Sequence, residues 1–148
     1  MSEIVVGVDG SASSIRAAEW AVAEAALRGV PLRLVQAFES PAVWLGMGEA
    51  LGSSVTATIS DDELRSYAMA ALDEAIASLS IPDDLEVIKD PIEGTPARVL
   101  LTASAGASLL VVGSKGHGDL GSILLGSVGM HCVHHATCPV VVVPSEKR

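Results

Sequence analysis

Three short segments of this chain are apolar at every position or interrupted only by glycine: residues 4–8 (IVVGV), 109–112 (LLVV) and 140–143 (VVVV). A strand with one face in water alternates apolar and polar residues. A continuous β-branched run instead implies burial on both faces. Such strands need a covering layer on each side of their sheet. The chain must therefore supply helices between them.

It does. After residue 8, Ile15, Ala18, Val22, Ala25 and Ala26 fall on one face of a helical pattern. Ser11 or Ser13 is placed to cap its start, and Gly29 and Pro31 end it. Residues 31–38 (PLRLVQAF) read as a second strand. Ser60 and Glu63 form a capping box ahead of a stripe of Leu64, Ala68, Ala71, Leu72, Ala75, Ile76 and Leu79, with Pro82 marking the end. Residues 85–90 (LEVIKD) alternate, which suits a half-exposed edge strand. Thr95 and Pro96 open a further helix as cap and first residue, and Gly106 closes it. A short helix around residues 127–135 precedes the last strand. Strands alternating with helices imply an α/β domain, with a parallel sheet covered on both faces. The expected organisation is a single domain over residues 1–148, without repeats.

The last strand raises a question of its own. A long apolar strand at a sheet edge is an association hazard. Pairing of two copies through residues 140–143 would resolve it, giving a homodimer. Full coverage by helices is the alternative.

Charge and composition exclude several classes. The net charge of −9 disfavours nucleic-acid backbones and anionic membranes as partners. Aromatic residues make up only 3%, too few for a base-stacking surface. No apolar run is long enough to span a bilayer, and the start lacks the charged and apolar regions of a signal peptide. Two cysteines, Cys132 and Cys138, make no disulfide framework. The cytoplasm is the expected compartment.

Two segments are neither strand nor helix. Residues 40–59 show no period, and loops of that length are often lids or mobile segments. Trp44 and Met47 within it suit a ligand cover or ordinary packing equally well. The second segment follows residue 112 and carries Gly113, Gly116, Gly118, Gly121, Gly126 and Gly129. It begins at a strand's carboxyl end, where open α/β sheets bind ligands. It finishes at a helix N-terminus, where the amides of Gly126, Ser127 and Val128 suit a phosphate. It is not a Walker A loop, because Gly116 rather than Ser or Thr follows Lys115. Residues 116–121 (GHGDLG) match the dinucleotide fingerprint, but they sit within a longer loop, with no acidic residue after Asp119 until Glu146.

The spacing Gly113-x2-Gly116-x9-Gly126-Ser127, with VVGVDGS at residues 5–11 and CPVVVVP at residues 138–144, resembles the universal stress protein family in its ATP-binding branch. The resemblance covers essentially the whole chain. It implies a five-stranded parallel sheet of order 3-2-1-4-5, flavodoxin-like, with Mg²⁺-ATP across the ends of the first and fourth strands. On that footing Asp9 contacts the nucleotide, and Gly7 leaves room beside it. The strand end near Ala37 offers backbone groups to adenine. Gly113, Ser114, Lys115, Gly116, His117, Gly118 and Asp119 follow ribose and phosphates, and Gly126, Ser127 and Val128 bind phosphate oxygens. Relatives often carry Arg, a small or apolar residue, and Gly-Gly in mid-loop. Here Lys115 keeps a cation, while Asp119 brings a carboxylate that would hold Mg²⁺ or face solvent. Members of the family commonly dimerise through the last strand.

Other constellations carry less. His131 and His135 share a helical face near Cys132 and Cys138, but no acidic zinc partner accompanies them, so no metal site is assigned. Ser11, Ser13 and Ser14 lack a nucleophile elbow, and no base–nucleophile pair follows from spacing, so no catalytic residue is assigned either. Three functions remain to be separated: an ATP-binding regulatory protein, a slow ATPase or other nucleotide-dependent enzyme, and a nucleotide-free interaction module or cyclic AMP binder.

Overall fold

A computed structural model describes residues 2–39, 60–115 and 125–145. Strand β1 (Ile4–Gly7) leads to helix α1 (Ala12–Arg28) and strand β2 (Leu32–Phe38). Helix α2 (Asp61–Ala77), strand β3 (Val87–Glu93) and helix α3 (Pro96–Ala103) follow. Strand β4 (Leu109–Gly113), helix α4 (Ser127–His135) and strand β5 (Val140–Val143) complete the order. The five strands form one parallel sheet in the order β3-β2-β1-β4-β5, as the family resemblance implied. Residues 40–59 lie outside the described residues.

The apolar runs serve both faces of the sheet, as their lack of alternation requires. Ile4, Val6, Leu109, Val111 and Val143 pack with Ala17, Ala18 and Ala21 of α1 and Leu72 of α2. Val5, Leu110 and Val112 pack on the opposite face with Val99 and Leu100 of α3 and Cys132 of α4. Val140, Val141 and Val142 of β5 are only half-buried. The helices therefore do not cover this edge strand fully.

Local chemistry sets the helix ends. Ser11, not Ser13, caps α1, accepting from the Ser14 amide at 3.1 Å. Gly29 ends α1 in the left-handed region at φ 67°. Ser60 caps α2 by accepting from the Glu63 amide, and its hydroxyl donates to the Glu63 carboxylate. Thr95 occupies the cap position of α3 with Pro96 behind it, but its side chain makes no capping bond.

One helix face and two boundaries differ from expectation. The α1 core face uses Ala17 and Ala21, whereas Ala26 is exposed; with alanine at so many positions, periodicity alone cannot orient this helix. Helix α2 stops at Ala77, before Pro82. Strand β3 runs to Glu93 through Pro91. Proline is tolerated there because β3 is an edge strand and Pro91 turns outward, its carbonyl accepting from Arg65. Across the sheet, Arg33 bridges Glu3 and Asp90, both at 2.9 Å. The hydrogen bond with Glu3 raises the Arg33 pKa against the opposite pull of burial, and Asp90 adds to the rise.

Candidate functional site

The strand order reverses between β1 and β4, and a cavity of about 370 Å³ opens at that point. Its size is within the range of small-molecule sites, roughly 300–1,000 Å³.

One wall is the turn from β1 to α1. Gly7 lies under Leu100 of α3, where a Cβ would come within 2.8 Å of the leucine Cδ1. Both residues line the cavity. Asp9 follows, and its Oδ1 accepts from the Ser11 amide at 2.9 Å. The Asp9 amide donates to Ser14 Oγ, and that hydroxyl donates to the Ser11 carbonyl. Gly10 completes the turn at φ 82°, in the left-handed region. Asp9 is thus both a turn residue and a cavity residue. A place in the turn and a place at the cavity do not exclude each other.

The opposite wall is the end of β4 and the start of α4. Gly113 packs directly on the first turn of α1, where a Cβ would collide with Ser13 Oγ and lie 2.7 Å from its carbonyl oxygen. The Lys115 amide donates to Ser13 Oγ at 3.1 Å. Ser114 is turned away from the cavity. Its hydroxyl accepts from the Ser145 amide, its amide donates to Val143, and its carbonyl accepts from the Gly126 amide at 2.8 Å. The two feet of the glycine loop are therefore tied to each other at Ser114 and Gly126, so the Gly126 amide, expected from sequence to serve a phosphate together with those of Ser127 and Val128, is already taken within the chain. Gly126 caps α4 without a side chain, and Ser127, Val128 and Gly129 line the cavity from the first helical turn. First-turn amides have no partner within their own helix and carry partial positive charge.

Strand β2 forms the floor. The Val8 amide donates to the Val35 carbonyl, so Val35 turns its backbone towards β1. Ala37, two residues on, turns the same way beyond the end of β1 and lines the cavity.

Of the site residues expected from sequence, Gly7, Asp9, Ala37, Gly113, Lys115, Gly126, Ser127 and Val128 line this one cavity. Ser114 is not among them, and Gly116, His117, Gly118 and Asp119 lie outside the described residues. Among the lining residues that sequence reasoning missed are Ser14, Gln36, Pro96 and Leu100. Ser14 and Leu100 look like ordinary helix-face residues. Gln36 did carry a signal, being a polar residue near the carboxyl end of an apolar strand.

Among the described residues, Lys115 and Asp9 bring one cation and one carboxylate to the cavity. His131, His134 and His135 lie elsewhere, exposed on α4, with the rings of His131 and His135 4.6 Å apart. The described residues hold no group of three ligands suited to a metal ion. Cys132 is fully buried, which pushes its thiol up to about 11, with a smaller contribution from Cys138. None of the described helices is long and apolar enough to cross a membrane.

The sequence model of the universal stress protein family matches residues 1–144. The chain belongs to this family. A universal stress protein of Mycolicibacterium smegmatis is 35% identical over 146 residues, covering 98% of this chain and 49% of that protein. The chain thus spans about half the length of the curated relatives it matches. Among solved structures, a universal stress protein in complex with cAMP is 26% identical at a TM-score of 0.63, covering 98% of each chain. Universal stress protein UspA from Lactobacillus plantarum is 22% identical at a TM-score of 0.71, covering 96% of this chain and 97% of that one. The latter likeness is one of fold.

Proposed function

We propose that this universal stress protein domain, taken as one unit over residues 1–148, binds Mg²⁺-ATP in the cavity between β1 and β4 and serves as a regulatory switch. One observation carries the reading. The β1 turn, the tip of β2, the end of β4 and the first turn of α4 converge on a single cavity at the strand-order reversal. Adenine lies towards Ala37, whose backbone has no β1 partner. The ribose lies beside the end of β4 at Gly113. The phosphates meet the amides of Ser127 and Val128, Lys115 and the glycine loop at Gly116, His117 and Gly118, with the Asp119 carboxylate serving the Mg²⁺.

A chain of net charge −9 repels a polyphosphate, so the metal matters. Asp9 is the carboxylate at the cavity among the described residues. That donor set suits Mg²⁺, which takes one or two carboxylates together with phosphate oxygens and water. Bound, the ion neutralises phosphate charge. Two copies pair through β5, whose half-buried valines and edge position support the contact. The compartment is the cytoplasm.

The test is to denature freshly purified protein and chromatograph any released nucleotide, then to titrate the emptied protein by calorimetry. Stoichiometric ATP, or heat with Mg²⁺-ATP that is lost in EDTA, supports the reading. Affinity unchanged by EDTA refutes the role of the metal. Release of ADP with steady phosphate production would make the domain a slow ATPase. Preference for cyclic AMP is the second reading, favoured by the solved relative in complex with cAMP. No binding of either nucleotide would leave an interaction module.

A further inference from the structure

Three polar side chains are buried among the described residues: Ser13, Ser14 and Ser104. A buried hydroxyl must find a partner or cost stability, and alanine would avoid that cost. Ser104 is satisfied locally, donating to the Leu101 carbonyl one turn back. The two neighbours on the first turn of α1 reach outside their helix. Ser14 Oγ accepts from the Asp9 amide at 3.2 Å, and Ser13 Oγ accepts from the Lys115 amide at 3.1 Å. The two backbones they hold belong to the carboxylate and the cation that the described residues bring to the cavity.

Of the two bonds, the one from Ser13 has no local substitute. Asp9 sits in a turn that its own side chain and Gly10 also close. Lys115 lies two residues beyond β4. Its neighbour Ser114 is fastened on the other side, to Val143 and Ser145. The bare backbone of Gly113 lets the first turn of α1 come close enough for Ser13 to reach, since a Cβ there would lie 2.7 Å from the Ser13 carbonyl oxygen. A lysine carries a compact charge on a flexible four-carbon stem. A fold restrains such a charge chiefly by fixing the backbone from which the stem springs, and at Lys115 Ser13 Oγ does so.

We propose that Ser13 is a positioning residue: by accepting from the Lys115 amide, it sets the Lys115 cation for the phosphates of a bound nucleotide. The inference rests on the nucleotide reading above. Ser13 is not a lining residue of the cavity, so it acts through Lys115.

The experiment compares Mg²⁺-ATP and adenosine by calorimetry on the emptied wild type, Ser13→Ala, Lys115→Met and the double variant. Adenosine shares base and ribose with ATP but carries no phosphate. A residue that only stabilised the walls would affect both ligands alike. Ser13→Ala should weaken Mg²⁺-ATP by about fivefold, the worth of one hydrogen bond, and leave adenosine within about twofold. On the Lys115→Met background the same change should move Mg²⁺-ATP by less than about twofold, because the cation it positions is gone. A second measurement needs no ligand. Hydrogen exchange followed by NMR should find the Lys115 amide protected in the wild type and unprotected in Ser13→Ala, with the Asp9 amide unchanged. Equal weakening of both ligands, tighter Mg²⁺-ATP binding through the freed amide, or a full effect of Ser13→Ala on the Lys115→Met background overturns the role of Ser13 while the nucleotide site stands. A Lys115 amide that exchanges freely in the wild type overturns it too. If the wild type binds no Mg²⁺-ATP, the site assignment and the inference fall together.

Discussion

Gly113→Ala should damage this protein more than a single methyl group suggests. The added Cβ would collide with Ser13 Oγ, and it would lie 2.7 Å from the Ser13 carbonyl oxygen and 2.8 Å from its carbonyl carbon. A side chain can rotate away from such a contact, but a helix backbone cannot. Either the first turn of α1 or the end of β4 must move, and both form walls of the cavity. Overpacking of this kind costs about 1–3 kcal/mol. The Lys115 amide would also lose Ser13 Oγ, a bond worth about 1 kcal/mol. The total is about 2–4 kcal/mol, and at about 2–4 °C per kcal/mol for a domain of this size the Tm should fall by about 5–15 °C. Urea denaturation should show a lower midpoint with an unchanged slope. The double variant Ser13→Ala/Gly113→Ala separates the two causes. It removes the hydroxyl but leaves the carbonyl in place, so it should recover less than half of the loss. A Gly113→Ala protein within about 0.5 kcal/mol of the wild type, or full recovery in the double variant, would refute the backbone-contact reasoning.

The remaining expectations are smaller. Ser11→Ala removes the α1 cap and should cost about 1 kcal/mol in urea denaturation. Because burial raises its thiol to about 11, Cys132 stays neutral and shielded at pH 8. Iodoacetamide at that pH should label Cys138 and spare Cys132 in the folded protein, and mass spectrometry after guanidinium treatment should find both labelled. Arg33→Met leaves Glu3 and Asp90 without their shared cation. It should destabilise by about 1 kcal/mol, with a larger loss at low salt, and double-variant cycles with Glu3→Gln and Asp90→Asn should show coupling.

Much of the architecture is written in local pattern. Apolar runs at β1, β4 and β5 demand two covering layers. Ser60 with Glu63, Thr95 with Pro96, and Gly29 mark helix ends within one or two residues, because capping chemistry acts over a single turn. Errors arose where local pattern was degenerate. The alanines of α1 suit several faces, and only the sheet beneath selects Ala17 and Ala21. Alternation already suits an edge position for β3, but Pro91 reads locally as its end, and only the pairing of Gln36 with Pro91 across the sheet carries the strand on to Glu93. At the site, Asp9, Gly113 and the Gly126–Ser127 step were legible because each sits at a strand end or a helix start. Leu100 and Ser14 were not, because a residue facing a cavity and a residue facing a core share the same periodicity.

By itself, then, the sequence determined the elements, their class and the glycine-rich segment where bare backbone is needed. The tertiary structure decided what that backbone is needed for at Gly113. Ser13 and the Lys115 amide meet across 102 residues of chain, and no local signal encodes a contact made by two elements that the strand order brings together.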